Sequence, residues 1–355
     1  MSATLSPGSV EELAEAVRAT PRLIAVGAGT KPRLSAAGEG CARLSTARLS
    51  GITEYEPSEF TFTALAGTPV REIAAVLAER GQYLPFDPVL GAAGSTLGGA
   101  VAAGINGPGR WRYGGIRDFI LGVRFVDGAG RLLRLGGKVV KNAAGFDVPK
   151  LLVGSAGRLG VMAELTFKVF PRPPAWRTLR LPAAGEPAKV ALLAELGRGR
   201  WEIDAIESVV GEGDVQVRLG APAAAIDALA GELVSRFGGV VLPEAEAAAW
   251  WRDAAEFGWT HPAGAWAKFP LTPAQGPAFA DWVATQPGAR ARIGSAGNAG
   301  HVSWPTAAAA KDYPWSGVLL RGEGPLWPGP RRTSAVAAAV KAVLDPAGRF
   351  PALED

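Results

Sequence analysis

The sequence predicts an α+β protein of two domains. Its 355 residues exceed what one hydrophobic core usually organises. Pro171-Arg172-Pro173-Pro174 interrupts regular structure and marks a linker. Beyond it, strand-like runs at 202–210, 215–219, 239–242 and 265–269 alternate with Ala-rich helical stretches near 222–237, 244–257 and 273–285. That texture reads as an antiparallel sheet covered by helices.

The elements before the linker follow from local pattern. Ser9 and Glu12 form a capping box, and Val10, Leu13, Ala14 and Val17 fall on one helical face. Residues 23–26 read as a short buried strand. Phe60, Phe62, Ala64 and Ala66 alternate as in a half-buried strand. Thr68-Pro69 opens a helix with Val70, Ile73, Ala74 and Leu77 on one face and Gly81 as its stop. Asp127-Gly128-Ala129-Gly130 joins strands at 121–126 and 131–135 as a hairpin. Residues 161–170 form a further strand, with Leu165, Phe167 and Val169 on one side.

Composition excludes several classes. With 37 basic and 33 acidic residues the net charge is only +4, and no Lys/Arg block carries interleaved aromatics, so nucleic acid is not an expected partner. Cys41 is the only cysteine, so no disulfide forms within the chain, as suits a reducing cytoplasm. An iron–sulfur cluster takes about four thiolates, and His261 and His301 are the only histidines; neither a cluster nor a zinc site is expected. The N-terminal stretch lacks the basic start and apolar run of a signal peptide. The weakly polar run at 92–105 is broken by Gly and too short to span a bilayer. Ten of the eleven tryptophans lie at or beyond Trp176, which suits either core filling or a subunit interface.

Chemistry is concentrated in three segments. Val26-Gly27-Ala28-Gly29-Thr30-Lys31 follows a strand, and its glycines let successive N–H groups converge on a phosphate oxygen. An ordinary strand-to-turn connection would also use these residues. A Rossmann turn is excluded because Pro32 stands where the third Gly belongs, and no P-loop pattern is present. The second segment, 91–108, is dominated by small residues that permit close backbone approach to a flat or elongated ligand. Leu97, Val101 and Ile105 give it one helical face, which argues against a flexible linker. The third comprises 110–118, then Lys141-Asn142-Ala143-Ala144-Gly145-Phe146-Asp147, then 151–161.

Taken in order, these motifs resemble the FAD domain of the vanillyl-alcohol-oxidase superfamily: Val-Gly-x-Gly-Thr-Lys at 26–31, Thr-Leu-Gly-Gly at 96–99 and Tyr-Gly-Gly-x-Arg-Asp at 113–118. Lys-Asn-x-x-Gly-Phe-Asp at 141–147 and Val-Gly-Ser-x-Gly-x-Leu-Gly-Val at 153–161 narrow the resemblance to the glycolate oxidase and D-lactate dehydrogenase flavoproteins. Lys341, Asp345, Pro346, Gly348 and Phe350 are similar to that branch's closing motif. The resemblance is strong over about 5–173, moderate over the last twenty-odd residues and weak between.

The resemblance implies a two-subdomain, PCMH-type FAD-binding domain at 1–172, an α+β cap with an antiparallel sheet at 175–330, and a C-terminal helix and tail at 331–355 returning to the first domain. It implies that Gly27, Ala28, Gly29, Thr30 and Lys31 hold the FAD pyrophosphate, and that Gly91, Ser95, Thr96, Gly98 and Gly99 form a second wall. Gly154, Ser155, Gly160 and Val161 would lie along the adenosine or ribityl part, with Asp118 holding the channel's fold. Covalent flavin attachment in the superfamily generally uses His, sometimes with Cys, from the FAD domain. No His precedes His261, so the FAD is expected to be non-covalent.

The sequence also departs from this branch. Phe350 is followed by Pro351-Ala352-Leu353 rather than Asn-Pro-Gly. Val140 and Ala144 stand where substrate-oxidising relatives carry a basic and a hydroxyl residue, and His301 is the only trace of their cap histidine cluster. His301 then reads as a structural residue or as a base. No catalytic or metal residue is assigned. The expected function is an FAD-binding subunit of a glycolate oxidase complex, with a sister FAD subunit that oxidises the 2-hydroxy acid and a cysteine-rich iron–sulfur subunit. The expected location is cytoplasmic, with peripheral membrane attachment through the partners. The alternatives are a self-sufficient FAD oxidoreductase for a hydroxy acid or sugar acid, and a non-catalytic scaffold subunit.

Overall fold

The computed structural model describes residues 4–36, 38–137, 147–310, 312–331 and 334–354. The chain is α+β and divides into two units. Unit one comprises Met1–Asn106, Gly115–Pro171 and Arg332–Asp355; unit two comprises Gly107–Gly114 and Arg172–Arg331. The sequence places 107–114 in the first domain, whereas here Arg112 pairs with Glu202 of unit two.

In unit one, β1 (Thr4–Leu5), β2 (Leu23–Val26) and β3 (Ala42–Ser45) form a parallel sheet in the order β1-β3-β2. The apolar face of α1 (Val10–Ala19) is buried with Leu23 and Leu44 of that sheet. Ser9 Oγ accepts from Glu12 N, while the Glu12 carboxylate accepts from Gly8 N.

A second sheet is antiparallel, in the order β4-β5-β9-β7-β8. Its strands are β4 (Ile52–Glu56), β5 (Thr61–Leu65), β7 (Ile120–Val126), β8 (Leu132–Gly136) and β9 (Val161–Lys168). A short pair joins β6 (Gln82–Tyr83) to β10 (Phe170–Pro171). The helices of unit one are α2 (Val70–Ala78), α3 (Leu97–Ala103), α5 (Ile116–Phe119), α6 (Val148–Leu152) and α11 (Ala335–Leu344); α4 (Arg110–Tyr113) belongs to unit two.

The expected half-buried alternation around Phe62 is not what forms. β5 lies inside the sheet, between β4 and β9, and Thr61, Phe62, Thr63 and Ala64 are all buried. Thr63 and Thr166 satisfy each other's hydroxyls across the strands at 2.9 Å. Phe60 stands outside the strand at φ 53° and is 40% exposed.

The C-terminal motif acts as a clamp within unit one. The fully buried Asp345 carboxylate accepts from Arg349 N, Phe350 N and Lys341 Nζ at 2.9, 3.0 and 2.7 Å. Arg349 O accepts from Leu23 N, and Phe350 enters the core beside Val10 and Leu13. The missing Asn-Pro-Gly therefore leaves this anchor intact.

Unit two is built on one eight-stranded sheet in the order β14-β11-β13-β12-β16-β17-β15-β18, antiparallel throughout. In chain order its elements are β11 (Ala175–Pro182), α7 (Glu186–Arg198), β12 (Ile203–Val209), β13 (Asp214–Ala221), α8 (Ala223–Phe237), β14 (Val240–Val241), α9 (Glu244–Glu256), β15 (Trp266–Pro270), α10 (Gly276–Ala284), β16 (Arg290–Gly294), β17 (Ala299–Ser303) and β18 (Val318–Arg321). The core lies on one face, where Leu192, Ile226 and Phe279 of the helices meet Val217, Phe269, Ile293 and Val302 of the strands. On the other face, Trp251 and Ala254 of α9 pack against Ala205. Trp282, Trp304, Trp315, Tyr313, Phe269 and Phe279 interlock by edge and tilted contacts, so these tryptophans fill core.

Candidate functional site

Two turns rich in small residues meet in unit one around a cleft. The first leaves the end of β2 at Val26, and the backbone reverses at Gly29, whose φ is 70°. The second opens α3, where Thr96 is the N-cap and its Oγ1 accepts from Gly99 N at 3.2 Å. The turns touch: a Cβ on Gly27 would lie 2.5 Å from Thr96 Oγ1. Gly98 packs as closely on Ala66, where a Cβ would lie 2.9 Å from the carbonyl oxygen.

Of the residues singled out from the sequence, Gly27, Ala28, Gly29, Thr30, Lys31, Ser95, Thr96, Gly98, Gly99, Gly160 and Val161 all line this cleft. Gly91, Gly154 and Ser155 are not among its lining residues. Gly154 N donates to Val101 O and Ala156 N to Ala102 O, so the 154–156 turn satisfies carbonyls at the end of α3. Gly91 closes a tight turn by accepting from Gly94 N. Ala66, Ala102, Ala103, Thr46, Gly157 and Met162 also line the cleft and were not singled out. Ala102 and Ala103 continue the small-residue run and were legible in it; Thr46 follows β3, and no local pattern marks it.

Lys31 supplies the charge. It is 6% exposed, and Nζ lies 3.0 Å from Thr30 Oγ1 and 3.4 Å from Ser95 Oγ. Among the described residues no carboxylate pairs with it. Burial alone lowers its pKa to about 8. An ammonium held by two hydroxyls against a wall of backbone suits a phosphate group, which restores the missing counter-charge.

Other candidates take different places. Arg158 is a structural cation: 3% exposed, it donates to Leu34 O and Ala156 O. Asp118 accepts from Gly115 N at 2.8 Å and so shapes the start of α5. Val140, Lys141, Asn142 and Ala144 lie outside the described residues.

Unit two holds a separate polar cluster. Lys268 of β15, His301 of β17 and Arg292 of β16 stand directly opposite one another in the sheet register. Trp266 Nε1 donates to His301 Nδ1 at 3.3 Å, so His301 is oriented by a partner that its sequence neighbours do not reveal. Burial, and secondarily the Lys268 charge, hold the imidazole well below its usual pKa. Burial, with Arg110 nearby, lowers Lys268 to about 8. Among the described residues no three His, Cys, Asp or Glu side chains gather as a metal site.

Comparison with known proteins agrees with the cleft. Residues 1–136 match the FAD binding domain family. Over 130 residues the chain is 49% identical to glycolate oxidase subunit GlcE of Escherichia coli (strain K12), a match covering 37% of this chain and 37% of that protein. Over 174 residues it is 36% identical to D-2-hydroxyglutarate dehydrogenase of Xanthomonas citri pv. viticola, covering 47% of this chain and 36% of that protein. The chain thus spans little more than a third of the length of these curated relatives. Its fold is similar to a solved alkyldihydroxyacetonephosphate synthase, with a TM-score of 0.71 at 17% identity over 97% of this chain and 76% of that one. The cofactor is FAD.

Two outcomes follow for the cleft. Gly27→Val drives a branched side chain into Thr96, and Gly29→Val imposes φ 70° on a β-branched residue. Both variants are expected to purify without flavin while unit two stays folded. All eleven tryptophans lie in unit two, so their fluorescence reports on it separately. Full visible flavin absorbance in either variant would contradict the assignment.

Lys31 adds a pH dependence. Its folded-state pKa of about 8 lies below the 10.5 of an unfolded chain, so the apoprotein gains relative stability as pH rises between those values. FAD affinity runs the other way, falling above about pH 8 as the ammonium loses its proton. Lys31→Met is expected to bind FAD about tenfold more weakly at neutral pH and to lack that fall. Flavin titrations of the apoprotein across this range check both.

Proposed function

We propose that this chain is the FAD-binding subunit of a glycolate-oxidase-type complex that oxidises a 2-hydroxy acid to a 2-oxo acid. Its partners in this reading are a sister FAD subunit and a cysteine-rich iron–sulfur subunit. The observation that carries the reading is the 49% identity to GlcE over 130 residues. The name of the Bacillus subtilis relative, glycolate oxidase subunit GlcD, supports a partner of related sequence, since it matches this chain at 32% identity over 141 residues. An iron–sulfur cluster would have to come from elsewhere, because Cys41 is the only thiol.

Bound FAD supplies a two-electron acceptor. The chain's own residues do the holding. Lys31, Thr30 and the backbone of 27–29 would take the diphosphate, and Thr96, Gly98 and Gly99 would keep the opposite wall close. The flavin would be non-covalent. Cys41 is buried with Ile24 and Val26, and burial pushes its thiol pKa up, away from the reactive thiolate. Among the described residues no helix is long and apolar enough to cross a membrane; in this reading peripheral attachment runs through the partners.

A second reading, a self-sufficient hydroxy-acid oxidoreductase, is favoured by the Lys268–His301–Arg292 row in unit two.

Acid precipitation is expected to give a colourless pellet and a yellow supernatant; flavin retained in the pellet would overturn non-covalent binding. Steady-state oxidation of glycolate and D-lactate with a dye acceptor separates the two readings. The reconstituted complex is expected to exceed the isolated chain in kcat/KM by about a hundredfold or more, the usual worth of a positioned proton acceptor. Equal values would promote the self-sufficient enzyme.

A further inference from the structure

One wall of the unit-one cleft is a turn that its own residues do not favour. Ala156, Gly157, Gly160, Val161 and Met162 line the cleft. Gly154 and Gly157 have φ of 80° and 75°, which glycine adopts readily, but Ala156 stands at φ 48°. A residue with a Cβ is disfavoured there and persists only where its surroundings hold it.

Three ties hold this turn. Ala156 N donates to Ala102 O of α3 at 2.8 Å. Arg158 Nη1 donates to Ala156 O at 2.6 Å and to Leu34 O at 3.2 Å, joining the turn to another lining residue of the cleft. The third tie comes from far along the chain. Lys341 Nζ of α11 donates to Arg158 O at 2.7 Å, across 183 residues.

The C-terminal clamp places Lys341 for this contact. Its ammonium also meets Asp345 Oδ2 at 2.7 Å and the carbonyl oxygens of Pro351 and Phe350 at 3.0 and 3.2 Å. Those three acceptors belong to the C-terminal segment, whereas Arg158 O belongs to the turn. The ammonium therefore bridges the two. Arg349, the other cation of the clamp, reaches Gly128 O and Thr20 O instead. Lys341 itself is not a lining residue of the cleft.

We infer that Lys341 is a positioning residue for the cofactor: through Arg158 it keeps the 156–160 turn in its strained form, so the C-terminal segment sets FAD affinity without touching FAD. A charged donor fixes a carbonyl more firmly than a neutral one does. Without it, Ala156 loses a restraint on its left-handed backbone, and Gly157 and the wall beyond move with it. The inference rests on the cleft being the FAD site, as proposed above.

Flavin titration of the full-length apoprotein, with its thermal midpoint followed by far-ultraviolet circular dichroism, tests this. Lys341→Met keeps an apolar stem and removes the donors. It is expected to weaken FAD binding about tenfold, chiefly through faster release. Lys341→Arg still donates to carbonyls and is expected to stay within about threefold of wild type. Lys341→Gln, a neutral donor, should fall between them and serves if the Met variant does not fold. Leu13→Ala is the stability control, because Leu13 is fully buried in the unit-one core and does not line the cleft. It should lower the midpoint at least as far as Lys341→Met yet, well below that midpoint, leave FAD affinity within about threefold. Arg158→Met should weaken FAD binding too. Combined with Lys341→Met it should lose less than the product of the separate losses, since both tie one turn. FAD affinity that is unchanged in Lys341→Met, that follows the midpoint alike in Lys341→Met and Leu13→Ala, or that falls multiplicatively in the double variant would overturn the inference. Gly27→Val separates this from a misplaced cleft. Flavin lost in Gly27→Val but held at full affinity in Lys341→Met refutes the role of Lys341 and leaves the cleft standing. Full affinity in Gly27→Val refutes the cleft, and this inference with it.

Discussion

The cleft in unit one depends on how closely two turns approach at Gly27 and Thr96. A single Cβ on residue 27 would come within 2.5 Å of the hydroxyl that caps α3. That hydroxyl is already committed, accepting from Gly99 N, and so cannot swing away without uncapping the helix. Gly98 against Ala66 repeats the constraint one turn further on. The wall is therefore made of backbone and small side chains because nothing larger fits between the sheet and α3. A consequence is that, among the described residues, small side chains and the buried cation Lys31, rather than long polar side chains, line the cleft.

Both units treat charge in the same way. Lys31 in unit one is buried and Lys268 in unit two half-buried, among the described residues neither has a carboxylate to neutralise it, and each is lowered to about 8. Desolvation of an unpaired ammonium is unfavourable, so a fold retains one where something else compensates. Thr30 and Ser95 offer hydroxyl oxygens to the first; His301 and Arg110 offer the second only more donors or more charge. The contrast with Lys341 is instructive. That ammonium is met by Asp345 and three backbone carbonyls, and its role is to anchor the C-terminal segment. Arg158, with two carbonyl acceptors, is structural in the same sense.

How much of this was readable in advance depends on how local the cause is. The order of small-residue motifs located the cleft, since positive φ and close approach are properties of the turn residues themselves. The helices at Val10 and Val70 followed from their start signals and apolar spacing, and the helix at Ala223 from its Ala-rich composition. The strands β11, β16 and β17 did not, because Arg177 and Arg180 fall on opposite faces of β11, Arg290 and Arg292 interrupt β16, and Gly300 lies within β17, which together mask the alternation. The burial of both faces of β5 was also hidden, since Thr61 and Thr63 read as solvent-facing until the sheet surrounds them.

The sequence by itself determined the α+β class, the Gly-rich turns and their link to FAD, and the absence of thiolates for a cluster. The class, the turns and the thiol count are matters of residue type or short-range spacing, whereas the link to FAD came from the family resemblance those motifs carry. Tertiary structure alone decided that Gly154 secures α3, together with Ala156, rather than lining the cleft, because the partners of these two residues, Val101 and Ala102, lie some fifty residues earlier. It also decided that His301 has neighbours. Lys268, Arg292 and Trp266 are distant or unremarked in the chain, and only strand register sets them beside the imidazole, where hydrogen bonding fixes the proton's position and burial keeps the ring neutral.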